Sequence, residues 1–129
     1  MKKCAILLSH KVNPEQEQEL REKWGVGSIH FPPQDIQSRF SQIPPEGEYP
    51  MEHIQPVLDW LEETTSPGDL AWFQGEPATC VLLAKWCEKN GRVAILATTR
   101  RESVDQALPD GSVVKKSIFK HVCFRKYPY

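Results

Sequence analysis

Apolar positions in this chain fall in short blocks between polar, turn-rich stretches, and the spacing within each block assigns an element. Cys4 to Leu8 is an unbroken apolar run. It predicts a first β-strand, with Ser9 and His10 at its carboxyl end. Asn13-Pro14 supplies an N-cap and a first-turn proline, followed by Glu15, Glu17 and Glu19. A helix should therefore run to about Trp24 and stop at Gly25. Ser28 to Phe31 reads as a second short strand, ended by Pro32-Pro33. Gln34 to Ile43 spaces Ile36, Phe40 and Ile43 along one helical face. The stretch Pro44 to Pro50 holds three prolines and a glycine and can only be a loop. Met51 to Thr65 is a third helix with Ile54, Val57, Leu58 and Leu61 inward. Pro56 predicts either a later start for it or a kink.

Ser66 to Asp69 is a turn, and Leu70 to Phe73 a third strand. Gln74 to Thr79 opens a helix that ends at Lys89-Asn90-Gly91. Val93 to Ala97 is again unbroken and apolar, as a strand buried on both faces requires, and the strand is expected to run to Thr99. The order β-α-β-α-α-β-α-β implies a single α/β domain over residues 1–129, with a mainly parallel sheet and helices on both faces. After Asp110-Gly111 the pattern changes. Ser112 to Tyr127 reads as one long strand or two short ones, a C-terminal β segment. Strict alternation would put Phe119, His121, Cys123, Arg125 and Tyr127 on one face, against Ile118, Lys120, Val122 and Phe124.

Composition narrows the possibilities. The formal net charge is −1 over 129 residues, but residues 1–90 carry eight Lys/Arg and fourteen Asp/Glu, and residues 91–129 eight and three. A basic segment on an acidic body fits either a polyanion site or a solvated basic edge. The apolar runs are too short to span a membrane, and the N-terminus lacks a cleavage-site pattern, so a cytoplasmic protein without a membrane partner is expected. Cys4, Cys80, Cys87 and Cys123 form no C-x-x-C pair and read as buried free thiols. No carboxylate cluster has metal-like spacing, so neither a metal nor another cofactor is expected.

The candidate chemistry lies at strand ends. Ligands of open α/β sheets bind beyond the carboxyl ends of the strands. Three segments can meet there: Ser9-His10, Gln74-Gly75 to Thr79, and Thr98-Thr99-Arg100-Arg101-Glu102. They offer hydroxyls, an amide, a helix N-terminus and two guanidiniums, a set suited to phosphate oxygens. His10 and His121 are the candidates for proton transfer, whereas His30 and His53 read as structural or exposed. Lys115, Lys116, Lys120, Arg125 and Lys126 alternate with Phe119, Phe124 and Tyr127. Aromatics could stack bases while cations meet phosphates; lysines equally protect an edge strand from unwanted pairing.

The ordered set Leu7-Leu-Ser-His10, Ile43-Pro-Pro-Glu46, Gln74-Gly75, Ala97-Thr-Thr-Arg-Arg-Glu102, Asp110-Gly-Ser112 and Phe119-Lys-His-Val-Cys-Phe-Arg-Lys-Tyr127 resembles the small CRISPR-associated accessory proteins of the Csx series, the family numbered twenty. The resemblance spans nearly the whole chain. It implies a Rossmann-like, CARF-like fold and binding of cyclic oligoadenylate, with cyclic tetra-adenylate the expected ring. It further implies ring-nuclease activity that switches off type III CRISPR signalling.

On that expectation the reaction is metal-independent, because the ribose 2′-hydroxyl of the ring is the nucleophile. Arg100 and Arg101 would clamp phosphate, with His121 or His10 moving protons. Ser9, Gln74, Gly75, Thr79, Thr98, Thr99, Lys116 and Arg125 would bind ligand. A homodimer would match the two-fold axis of a tetrameric ring, and duplex DNA is not an expected partner. Two rival expectations are a messenger-binding module without turnover and a flavodoxin-like nucleotide binder.

Overall fold

Where the chain alternates short β-forming runs with capped amphipathic segments, the elements form as that pattern requires. The computed structural model describes residues 1–129. Its elements are β1 (Lys2–Leu7), α1 (Pro14–Lys23), β2 (Val26–His30), α2 (Gln34–Ser41), α3 (Met51–Thr64), β3 (Leu70–Phe73), α4 (Pro77–Asn90), β4 (Val93–Ala107) and β5 (Val113–Lys126). Helix α1 starts at a reciprocal cap, in which Asn13 Oδ1 accepts from Gln16 N and Gln16 Oε1 accepts from Asn13 N. Helix α4 stops at Gly91, whose positive φ of 74° a side-chain-bearing residue would resist. Helix α3 continues through Pro56. No helix is long and apolar enough to cross a membrane.

The five strands form one sheet in the order β2-β1-β3-β4-β5. The first four are parallel, and β5 runs antiparallel to β4. Residues alternate between two cores. Cys4, Ile6, Leu70, Trp72, Ile95, Ala97 and Phe124 pack with Leu20 of α1. Ala5, Leu7, Ala71, Phe73 and Ala94 pack with Phe40 of α2, Ile54, Val57 and Leu61 of α3, and Leu83 and Cys87 of α4. One helix thus covers one face and three cover the other.

One expectation changes here, and one pair of alternatives is decided. Strand β4 does not end at Thr99; it runs on to Ala107, paired with β5 the whole way. Thr98 to Glu102 therefore lie inside a strand, not in a loop beyond a sheet end. The segment after Gly111 is one long strand, and the outer halves of β4 and β5 form a two-stranded ribbon with largely exposed side chains. The reason is pairing: each strand satisfies the backbone groups of the other that face it, and solvent meets the outward-facing ones, so the ribbon needs no buried face to hold its hydrogen bonds.

Its root is anchored on both faces. Phe124 meets Trp72 edge-on at 4.6 Å, and Tyr127 stacks on Phe73 at 4.7 Å. Tyr127 Oη also donates to the Phe73 carbonyl. Phe124→Ala should therefore cost about 3–5 kcal/mol of stability, visible as a lower urea midpoint at unchanged m-value. A loss under about 1 kcal/mol would show that this ring does not anchor the terminal strand.

Candidate functional site

The carboxyl edge of the parallel strands is closed by its own side chains. Gln74 Oε1 accepts from Ala97 N and from Trp72 Nε1, both at 2.8 Å, and its Nε2 donates to the Ala97 carbonyl at 3.2 Å. This amide joins β3 to β4 where the two strands diverge, with its oxygen fully engaged and one of its two N–H groups committed to the sheet. Above Gly75 sits the Phe40 ring; a Cβ there would lie 3.1 Å from it. Thr79 is fully buried, with its hydroxyl donating to Glu76 Oε1 at 2.8 Å and meeting Tyr49 Oη at 2.7 Å.

Glu76 decides the matter for phosphate. Its carboxylate caps α4, accepting from Ala78 N at 3.0 Å and Thr79 N at 2.9 Å, and those bonds hold its pKa below the ordinary carboxylate value. A helix N-terminus that carries its own anion repels a second one. Beside it lies a cavity of about 340 Å³, lined by residues of the Pro44–Pro50 loop, with Glu48 and Glu76 but no cation. The expected phosphate crevice at this edge does not form. Ser9 and His10 are exposed, and the His10 ring meets only the Lys11 carbonyl, at 3.1 Å.

Cations and histidine come together elsewhere, through a β-bulge. Thr98 pairs with Cys123, but Thr99 pairs with His121, so Val122 has no partner. Regular alternation from Phe124 would turn Val122 toward α1 and His121 away. The extra residue reverses that assignment for everything beyond it. His121 therefore shares a face with Phe124, at 5.1 Å between ring centres, not with Cys123, Arg125 and Tyr127 as strict alternation predicts. The Thr98 hydroxyl holds the bulge, donating to the Cys123 carbonyl at 2.9 Å and accepting from Cys123 N at 3.3 Å, so it is not a free ligand donor.

Under α1, His121 Nε2 lies 2.7 Å from Glu19 Oε1, with both side chains buried. The second Glu19 oxygen accepts from Phe124 N at 2.8 Å and from Trp24 Nε1 at 3.2 Å. Burial alone would raise the Glu19 pKa, but the hydrogen bonds from Phe124, His121 and Trp24 outweigh it and hold the carboxyl below its ordinary value. His121 Nδ1 is buried and has no partner. A cavity of about 440 Å³ opens beside the ring, lined by Asn13, Pro14, Glu15, Phe119, Lys120 and His121.

The two arginines separate. Successive strand residues point to opposite faces, so Arg100 and Arg101 cannot clamp one phosphate. Arg101 pairs with Phe119 on the His121 side, its guanidinium 6.0 Å from the ring centre and bonded to Ser117 Oγ at 3.0 Å. Arg100 pairs with Lys120 and faces the other way, where Lys120 meets Glu102 at 3.2 Å. Thr99 lies opposite His121. Lys116 and Arg125 sit nine residues apart on β5, about 30 Å at strand rise, and serve no common ligand. His53 and His30 are structural, bonded to the Arg39 carbonyl at 2.9 Å and to Ser28 Oγ at 2.8 Å. Cys4 and Cys87 are buried thiols with pKa values pushed up to about 12 by desolvation. Sequence reasoning missed Glu19, which it treated as one acid of a helix start; no local pattern pairs it with a histidine 102 residues away.

Over residues 2–125 the chain matches the family model described as "Uncharacterized protein MJ1673 family". It is 29% identical to "Uncharacterized protein MJ1673" of Methanocaldococcus jannaschii over 130 residues, covering 100% of each chain. No solved structure matches it.

Because the folded pKa of Glu19 lies below its ordinary value of 4.5, its ionised form stabilises the fold above that pH. The contribution is lost as pH falls through 4.5 toward the lowered folded value. Glu19→Gln should lower Tm at neutral pH, and the gap from wild type should close as the solution is acidified below 4.5. A gap that persists unchanged into strong acid would contradict this assignment.

Proposed function

The chain belongs to the MJ1673 family, and we propose that it binds and cleaves cyclic oligoadenylate, with cyclic tetra-adenylate as the preferred ring. The observation that carries this reading is the bulge: it brings a buried imidazole, a guanidinium and an exposed aromatic ring onto one face of the β4–β5 ribbon beside a cavity. The resemblance to the Csx family numbered twenty supplies the ligand class. In this reading the sheet is Rossmann-like and CARF-like, supported by four parallel strands whose order reverses between β1 and β3. Unlike Rossmann sites, the ligand site has moved off the strand ends and onto the ribbon.

The reaction asks little of the protein. The ring carries its own nucleophile, so the site must align the 2′-hydroxyl with the scissile phosphorus and stabilise the charge that develops. His121 accepts the hydroxyl proton as the O2′–P bond forms and the P–O5′ bond breaks, and the departing 5′-oxygen takes a proton from solvent water. Arg101 meets the phosphorane oxygens, and Phe119, which is 69% exposed, stacks a base. The products are linear oligoadenylates with 2′,3′-cyclic phosphate ends, and their formation would silence type III CRISPR effectors. A second copy would present the same residues across the two-fold axis of the ring.

A second reading, messenger binding without turnover, is favoured by one feature: Nδ1 of His121 is closed off from solvent. Turnover then needs the ribbon to shift on binding. Incubation with labelled cyclic tetra-adenylate in EDTA separates the readings, since a binding module retains the ring intact. Under the nuclease reading Arg101→Ala lowers the cleavage rate by about 10²–10³-fold, while Arg100→Ala stays near wild type. Equal activity of both variants and wild type would remove Arg101 from the mechanism.

A further inference from the structure

Glu19 and His121 define more than a structural contact, because the surroundings of the resting ring favour one of its two neutral tautomers. Nε2 lies 2.7 Å from a carboxylate oxygen, so a proton belongs between them. Nδ1 is buried without a partner. A ring protonated on Nδ1 alone would set the Nε2 lone pair against the carboxylate and bury an N–H with no acceptor. A doubly protonated ring would also bury that N–H. Only the Nε2–H form gives the carboxylate its donor and leaves Nδ1 as a bare acceptor, a role a buried nitrogen fills at lower cost than an orphaned donor.

The carboxylate is itself fixed. Glu19 bonds the backbone of Phe124, three residues from the histidine and just past the bulge, and the indole of Trp24 at the end of its own helix. It cannot swing away without leaving both donors unpaired. We infer that Glu19 is a positioning residue that holds the resting His121 as the Nε2–H tautomer, with Nδ1 as the free acceptor; Nδ1 takes a proton from a ligand hydroxyl only once the ribbon shifts and that oxygen lies within hydrogen-bond reach, where it becomes the acceptor for the new N–H. The catalytic consequence rests on the ring-nuclease reading above; the tautomer does not.

The test uses the whole chain labelled with ¹⁵N. Long-range ¹H–¹⁵N spectra, at a pH above the ordinary imidazole value of about 6.5, should show His121 protonated on Nε2 alone. Glu19→Gln should give a mixture of tautomers, because its amide both donates and accepts. The same variant should cut cyclic tetra-adenylate turnover by about 10–100-fold, by analogy with carboxylates that orient metal-bound histidines, with Kd for the ring unchanged. Glu19→Asp, which keeps the carboxylate, should restore the single tautomer and part of the rate. A wild-type ring protonated on Nδ1, or a tautomer unmoved in Glu19→Gln, overturns the inference. The expected tautomers with no linear product would uphold the positioning role and sink the nuclease reading, so the two failures are distinct.

Discussion

A β-strand assigns its side chains to two faces by strict alternation, and a single unpaired residue reverses the assignment beyond it. The candidate site depends on that constraint. With Val122 unpaired, Phe124 stays in the core against Trp72 while His121 turns to the same side and meets Glu19. Without the bulge, β5 could bury Phe124 or aim His121 at α1, but not both. Thr98 holds the irregular geometry by bonding both backbone groups of Cys123.

Glu19 makes this arrangement sturdy. A buried carboxylate is costly unless its lone pairs are met, and here an imidazole, an indole and a backbone amide meet them. The same group ties α1 to the root of the ribbon, so the helix and the histidine move together. Beyond this tie the ribbon has neither face covered, and Arg101, Phe119 and Lys120 lie open to a ligand. The parallel sheet end, by contrast, is closed by Gln74, Phe40 and the capping carboxylate of Glu76. The ribbon carries most of the basic excess of residues 91–129, whereas eight of the fourteen acids of residues 1–90 lie on α1 and α3.

Much of the fold was legible because it rests on local signals. Asn13-Pro14, Asn90-Gly91 and the apolar runs around Ala5, Ala71 and Ala94 mark their elements within a few residues. The ribbon was half legible: Thr98 to Ser103 are polar, and a polar strand needs a partner that local pattern does not reveal. The site was least legible. Alternation is a sound rule for β5, yet a bulge leaves no residue-type signature at Val122, so every side chain beyond it was given the wrong face. Glu19 and His121 are joined only by tertiary packing.

The measurement closest to the central claim is a double-mutant cycle on stability, with Glu19→Ala, His121→Ala and the pair. If the bulge aims the imidazole at this carboxylate, the two residues should couple by about 1.5–3 kcal/mol, the range for a hydrogen bond to a charged group. Effects that add to within about 0.5 kcal/mol would mean the residues act independently, and would contradict the account.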